Sequence, residues 1–168
     1  MGNRLPIDAA MLDVHCPFTV VRPYPQPLRR TLVLQLAGLG LQPGISISSG
    51  TPDAPAARRV MESNPSVLVL PFHQHRDWDG HRVTGFGIAY RLGDEFVARN
   101  IPILMPVDDI ALHSIFPTEL DRLQRICPRI FARLVVHRVT GSAERLRSAL
   151  EFAAHLEPGD LSSAKPQL

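Results

Sequence analysis

The chain has 168 residues, of which 45% are hydrophobic and 20% are charged, as is ordinary for one globular domain. Its 18 basic and 16 acidic residues leave a net charge of +2, which is too balanced to indicate a nucleic-acid-binding stripe. No apolar run approaches the roughly 20 residues of a membrane-spanning helix, and the N-terminus lacks the pattern of a signal peptide. We therefore expect a cytoplasmic protein whose partner is neither a membrane nor a nucleic acid.

The domain organisation follows from where hydrophobic periodicity begins and ends. Residues 1–16 show no clear period and are expected to form an N-terminal arm. A single α/β domain is expected over residues 17–156, followed by a flexible tail over 157–168. Cys16 and Cys127 lie far apart and form no paired motif, so we expect two reduced thiols.

Five segments have the composition of short buried strands. "SVLVLP" is continuously apolar, as buried parallel strands tend to be, whereas "FTVVRPYP" is β-branched and is then broken by prolines. "GISIS", "IPILMPV" and "RLVVHRV" are the three others. The predicted strands are residues 18–25, 44–48, 66–71, 101–107 and 133–139.

Helices are predicted in the intervals between these strands. Leu28, Leu32, Leu36 and Leu39 recur at helical spacing in the first interval. Pro128 should kink or end the helix in which it lies, because proline lacks the backbone N–H of the helical hydrogen bond. The predicted helices are residues 26–40, 53–63, 84–99, 117–132 and 142–156.

Strands and helices thus alternate five times along the chain. Such alternation predicts an α/β fold in which helices cover both faces of a parallel sheet. With five strands, the simplest arrangement is the flavodoxin-like three-layer fold with strand order 2-1-3-4-5. In open sheets of this kind, ligands bind at the carboxyl ends of the strands, near the point where the strand order reverses. Here that point lies between the first and third predicted strands.

The residues that follow these two strands are therefore the candidates for a ligand site. Arg22 and Tyr24 follow the first strand, and the third strand leads into "PFHQHRDWDGHRVTGFG", residues 71–87. This segment holds three of the seven histidines and the only tryptophan of the chain. Histidine and tryptophan are poor choices for a segment that only contacts water, so we expect a binding site here.

Polar residues near the other strand ends are given ordinary roles. Asp108 and Asp109 follow the fourth strand and are expected to cap the next turn, with ligand contact as the alternative. The histidines outside residues 71–87 are expected to be structural or solvated, namely His15, His113, His137 and His155.

The segment 71–87 allows a metal-site interpretation. Histidine and aspartate alternate in it, and imidazole with carboxylate suits zinc or iron. The alternating residues are His73, His75, Asp77, Asp79 and His81. "HQHRDWDG" resembles the HxHxDH signature of metallo-β-lactamase-fold hydrolases, although Trp78 stands where that family carries its second-metal histidine. A metal-dependent hydrolase is therefore kept as an alternative, and no residue is assigned as a metal ligand.

A second interpretation rests on a longer run, "SVLVLPFHQHRDWDGHRVTGFGIAYRLGDEFVARNIPILMPV". It contains a strand, an aspartate–glycine loop, a glycine-containing helix and a strand opened by proline, marked by Asp77, Asp79, Gly80, Gly87, Ala89 and Pro102. This order resembles the nucleoside 2-deoxyribosyltransferase-like group, relatives of the Toll/interleukin-receptor-like domains. The resemblance implies a pocket for a nucleoside, and cleavage or transfer of an N-glycosidic bond as the activity.

The resemblance departs from the group at the catalytic carboxylate. The nucleophilic glutamate of the group aligns with Gly85, which has no side chain. Glycosyl transfer through a covalent intermediate needs a carboxylate near the anomeric carbon. Asp77 and Asp79 are therefore the candidate catalytic residues. The resemblance thus supports a nucleoside-shaped pocket more than it supports catalysis.

Each candidate residue has a chemical role in such a pocket. Aromatic rings match the apolar face of a base, so Trp78, Tyr24 and Phe72 are candidates for stacking. Asp79 would accept hydrogen bonds from ribose hydroxyls, and Arg22 or Arg82 would hold a phosphate. Backbone amides at the helix start would favour an anion. The predicted ligand-binding residues are Arg22, Tyr24, His73, His75, Trp78, Gly80, Arg82, Thr84, Gly85 and Gly87.

A third interpretation is a signalling or assembly module without catalytic activity. In that case the histidines would be pH-sensitive surface groups or partner contacts, and Trp78 would anchor an interface. The sequence indicates no particular cofactor and leaves homo-oligomerisation open. We expect a protein that binds a small molecule of nucleoside or nucleotide type, with the inert module and the metal-dependent hydrolase as alternatives.

Overall fold

A computed structural model describes residues 9–11, 13–14, 26–40, 46–47, 62, 65–72, 85–91, 100–139 and 142–156. The strands in these ranges are β1 (Ala9–Met11), β2 (Asp13–Val14), β3 (Ser46–Ile47), β4 (Val67–Val69), β5 (Ile103–Val107) and β6 (Leu134–Arg138). The helices are α1 (Gln26–Gly38), α2 (Gly85–Arg91), α3 (Asp109–Leu112), α4 (Phe116–Ile126), α5 (Pro128–Phe131) and α6 (Ala143–Ala154). None of the described helices is long and apolar enough to cross a membrane.

Parallel strand pairing organises the fold. Strands β1, β4, β5 and β6 form a sheet in that order, with Leu68 opposite Ile103 and Ile103 opposite Leu134. Every pairing in this sheet is parallel, as the alternation of strands and helices predicts. A separate parallel pairing joins β2 to β3, with Asp13 opposite Ser46. The prediction of an α/β protein with a parallel sheet is confirmed.

The strand beside β4 comes from an unexpected part of the chain. The sequence predicts an irregular arm over residues 1–16, yet Ala9–Met11 pairs in register with Val67–Val69. The run Ala-Ala-Met lacks the β-branched and aromatic residues typical of strands, so its conformation depends on pairing with β4. The predicted first strand at 18–25 and residues 53–61 of the predicted second helix lie outside the described residues.

Helices cover both faces of the sheet. Successive residues of a strand point to opposite faces, so each strand contributes to two cores. One core forms with α1 and α6 and buries Val69, Leu104 and Val135. The opposite core forms with α2, α4 and α5 and buries Leu68 and Met105. The described part of the chain therefore has a helix–sheet–helix arrangement.

Two helix ends follow directly from the sequence. Helix α1 buries Leu32 and Leu36, and Gly40 beyond its end adopts a φ of 79°, a conformation that favours glycine. Helix α4 ends at Ile126 and α5 begins at Pro128, because proline cannot donate the N–H that would continue α4. The break predicted at Pro128 is confirmed.

A buried arginine closes the amino end of the sheet. Arg133, directly before β6, is 8% exposed. Its Nη1 donates to the carbonyl oxygen of Leu156 over 2.9 Å, and its Nη2 donates to the carbonyl oxygen of Asn100 over 3.0 Å. The guanidinium therefore ties the chain beyond α6 to the segment that enters β5.

Candidate functional site

Phe72 and Gly85, which flank residues 73–84 in the sequence, meet at the carboxyl edge of the sheet. Phe72, just past β4, donates its N–H to the Pro106 carbonyl oxygen in β5 over 3.0 Å. Gly85, the first residue of α2, donates its N–H to the Phe72 carbonyl oxygen over 2.6 Å. Phe72 and Gly85 are thus fixed beside the carboxyl ends of β4 and β5, the edge at which ligands of open α/β sheets bind.

Gly85 is packed too closely for a side chain. A β-carbon built on it would lie 2.7 Å from the Pro71 carbonyl oxygen, 2.9 Å from Met105 Cε and 3.2 Å from Phe72 Cα. Two of these neighbours are backbone atoms, which cannot move away by changing rotamer. Close packing therefore accounts for the glycine at this position. Because the Gly85 N–H is already donated to Phe72, this amide at the start of α2 is also not free to hold an anion.

Three phenylalanines fix the start of α2 against the sheet. The ring centroids of Phe72 and Phe86 are 5.5 Å apart, and those of Phe72 and Phe116 are 5.4 Å apart, both with edge-to-face geometry. The rings of Phe86 and Phe116 are stacked at 5.5 Å. Phe72 is fully buried in this cluster. Its predicted role of stacking on a base is therefore wrong, because the ring is part of the core.

Few of the predicted site residues fall within the described ranges. Gly85 and Gly87 lie in the first turn of α2, and Gly87 is half-buried. The other predicted residues lie outside the described residues, namely Arg22, Tyr24, His73, His75, Asp77, Trp78, Asp79, Gly80, Arg82 and Thr84. Within the described ranges, no group of three His, Cys, Asp or Glu residues could hold a metal ion. His81 and the other alternating residues of the metal interpretation lie outside these ranges.

The two aspartates after β5 have structural partners. Asp108 is buried, and its Oδ1 accepts a hydrogen bond from the Ala111 N–H over 2.7 Å, which caps α3. The capping role predicted for Asp108 is confirmed. Asp109 instead accepts two hydrogen bonds from Arg138 at the end of β6, over 2.5 Å from Nε and 3.1 Å from Nη2. The Arg138 hydrogen bond holds the pKa of the Asp109 carboxyl below its usual value.

A cleft opens between β6 and α6, on the face of the sheet opposite α2. It has a volume of about 430 Å³, and its walls include His137, Arg138, Glu144, Arg145 and Ser148. His137 is 4% exposed, and its Nε2 has no hydrogen-bond partner among the described residues. Burial, assisted by the charge of Arg145, lowers the His137 pKa to about 4. His137 is therefore neutral at pH 7.

The sequence did not single out this cleft. The expectation for His137 is a structural or solvated histidine, and its burial agrees with the structural role. Its unpartnered nitrogen is a feature that the sequence does not predict. The available signal was weak: one imidazole in the otherwise apolar run "LVVH", two residues after Val135, on the face that packs against α6.

Tyr90 fixes α2 to α4 through its ring. The Arg122 guanidinium carbon lies 5.7 Å from the centroid of the Tyr90 ring, within the range of a cation–π contact. The Tyr90 hydroxyl oxygen is buried and has no hydrogen-bond partner among the described residues. Burial raises the pKa of this hydroxyl, and the nearby Glu119 carboxylate raises it further. The ring, and not the hydroxyl, therefore makes the useful contact.

Comparison with known proteins does not assign a family. No protein-family model, curated protein or solved structure matches the chain. The function is therefore inferred from the residues and from their placement in the sheet.

Proposed function

We propose that the chain binds a small molecule of nucleoside or nucleotide type at the carboxyl edge of its sheet. The observation that carries this proposal is the hydrogen bond from the Gly85 N–H to the Phe72 carbonyl oxygen, beside the ends of β4 and β5. Phe72 and Gly85 flank residues 73–84 in the sequence, so the segment that contains Trp78 and Asp79 leaves and rejoins the described fold where α/β proteins bind ligands.

The proposal includes a five-stranded flavodoxin-like sheet in the order 2-1-3-4-5. Ala9–Met11 pairs with β4, and Asp13–Val14 pairs with β3. If residues 9–14 act as one strand, the spatial order is β3, residues 9–14, β4, β5 and β6. The first strand is then residues 9–14 and not residues 18–25. The reversal of strand order then falls between residues 9–14 and β4, beside Phe72.

The residue types of the loop fit the parts of a nucleoside. Trp78 and Tyr24 would stack on the base, and Asp79 would accept hydrogen bonds from ribose hydroxyls. Arg22 and Arg82 would hold a phosphate where the ligand carries one. The histidines at positions 73 and 75 would contribute further polar contacts. The resemblance to the nucleoside 2-deoxyribosyltransferase-like group supports the same ligand class.

Binding is proposed ahead of catalysis because of Gly85. Its packing leaves no room for the glutamate that the resemblance would place there. Cleavage would then use Asp77 or Asp79 as the nucleophile. The carboxylate would bond to the anomeric carbon as the C–N bond breaks, the base would leave with a proton, and water would hydrolyse the ester. A catalytically inert signalling or assembly module of the same fold is the second candidate. The close packing of Gly85 favours it over an enzyme, because the position has no room for the catalytic glutamate.

A thermal-shift screen of nucleosides, nucleotides and NAD tests the proposal. We expect at least one compound to raise the melting temperature of the protein, and we expect Asp79→Ala and Trp78→Ala to abolish that rise. Asp121→Ala is the matched control, because Asp121 is exposed on α4 and pairs with Arg125. The proposal fails if no compound raises the melting temperature, or if the loop variants respond as the control does. Incubation of a hit with the protein, followed by chromatography for free base, separates an enzyme from a binding module.

A further inference from the structure

The cleft between β6 and α6 holds a set of hydrogen-bond donors that the proposed nucleoside site does not use. It lies on the face of the sheet that packs with α1 and α6, whereas Phe72 and α2 pack on the other face. We propose that this cleft is a second site, which binds a phosphate group at the amino end of α6.

The start of α6 contributes backbone donors to the cleft. A helix leaves its first four N–H groups without partners inside the helix, and its dipole favours an anion there. Ser142 occupies the N-cap position, but its side chain makes no capping hydrogen bond to the helix. Glu144 and Arg145, in the first turn, both line the cleft. The walls of the cleft therefore include two residues from the first turn of a helix of 12 residues.

His137 is the independent observation that points to a ligand. More than nine-tenths of this residue is buried, it is one of the residues that line the cleft, and its Nε2 has no partner among the described residues. Buried polar atoms in folded proteins normally have a partner. With the proton on Nε2, a neutral imidazole donates one hydrogen bond, which an oxygen of a bound phosphate would accept.

The charged groups around the cleft define where the phosphate would sit. Arg138 is already held by Asp109 through two hydrogen bonds. Arg145 is exposed and forms no ion pair with another described residue, so its guanidinium is available. Ser148, one turn further along α6, adds a hydroxyl donor. Glu144 is the one carboxylate among the lining residues and would oppose an anion. A phosphate bound near Arg145 and His137, away from Glu144, satisfies these constraints.

Titration with inorganic phosphate, against sodium chloride at equal ionic strength, tests the second site. Affinity is measured by isothermal titration calorimetry for the wild type and for three single variants. Arg145→Gln should weaken binding by about tenfold or more, because a charge-assisted contact is lost. Glu144→Gln should tighten it, because a like charge is removed from the site. Arg129→Gln is the matched control, since Arg129 is exposed on α5 and does not line the cleft, and its affinity should equal that of the wild type.

Arg145→Gln and Glu144→Gln are expected to have opposite effects on the affinity for phosphate. This difference separates a specific phosphate site from general anion binding. Failure to detect phosphate binding overturns the proposal, and so do equal affinities in all four proteins. A second readout is the titration of the His137 ring by NMR in the wild type. Bound phosphate should raise the His137 pKa, since the neighbouring charges of Arg145, Glu144 and Arg138 are the same with and without phosphate. An unchanged His137 pKa in saturating phosphate would also overturn the proposal. Acetate, tested at the same concentrations, distinguishes a phosphate site from a site for any carboxylate.

Discussion

Gly85 lies so close to Pro71 that a β-carbon on the glycine would stand 2.7 Å from the proline carbonyl oxygen. This contact joins the first residue of α2 to the chain leaving β4, and it explains the absence of a side chain at this position. A position that suggests a lost nucleophile in the sequence is, in the structure, a contact between a helix and the end of a strand.

Gly85→Ala is therefore expected to destabilise the protein by about 2 to 3 kcal/mol, the upper part of the range for overpacked cores, because backbone atoms must shift. Chemical denaturation gives the free energy of unfolding. Gly38→Ala is the control: a β-carbon there meets nothing within 4 Å, so the helix α1 should be unchanged or stabilised by up to about 1 kcal/mol. Equal effects of the two substitutions would show that the close contact at Gly85 does not constrain the fold.

His137 predicts a loss of stability in mild acid. The unfolded chain protonates this histidine near pH 6.5, whereas burial lowers its folded pKa to about 4. The unfolded state therefore binds the extra proton between these pH values, and the free energy of unfolding falls as the pH drops through this window. The fall attributable to His137 is about 3 kcal/mol between pH 7 and pH 4.

His137→Leu should remove this component of the pH dependence, because leucine does not titrate. Arg129→Gln serves as the control, since Arg129 is exposed and does not line the cleft, so the pH dependence attributed to His137 should persist in this variant. The measurement is urea denaturation across this range in buffers without phosphate. A wild-type profile that His137→Leu leaves unaltered would contradict the predicted role of this residue.

Arg133→Met should be strongly destabilising. The substitution removes the hydrogen bonds to the Leu156 and Asn100 carbonyl oxygens while keeping much of the side-chain volume. The expected loss in the free energy of unfolding is about 2 to 4 kcal/mol, because each bond has a charged donor and the acceptors lose their partner. Arg129→Met, at an exposed position, should change stability by less than about 0.5 kcal/mol. Similar values for both variants would mean that the guanidinium does not tie these segments together.

Tyr90→Phe should leave stability unchanged or raise it by about 1 kcal/mol, because the hydroxyl is buried without a described partner and costs desolvation. The ring contact with Arg122 remains available to phenylalanine. Tyr90→Leu separates the two parts of the side chain, since it removes the ring as well and should be destabilising. Thermal unfolding measures all three proteins, and a clear loss in Tyr90→Phe would indicate that the hydroxyl makes a stabilising contact.

The sequence predicts best those elements whose own residues favour them. The strands β5 and β6 are nearly continuous apolar runs, and Pro128 breaks the helix between them by removing a backbone donor. Strand β1 was missed because Ala9–Met11 has no strand propensity of its own and acquires its conformation by pairing with β4.

The same distinction applies to the candidate sites. A segment rich in histidine and aspartate, with the only tryptophan of the chain, is visible in the sequence, whereas the reason for glycine at position 85 is not. That reason is the distance to Pro71 and Met105, which only the packed structure provides. The cleft beside His137 depends likewise on α6 lying across β6.

The hydrogen bond between Gly85 and Phe72 also affects how this protein can evolve. Because Phe72 and Gly85 already meet, the part of the sequence between them can change in length and composition while β4 and α2 stay in place. Doubling the length of a flexible loop costs only about 0.6 kcal/mol in closure entropy. Insertions and substitutions between these two anchors therefore cost little stability, and evolution can vary this part of the sequence while the hydrophobic cores stay untouched.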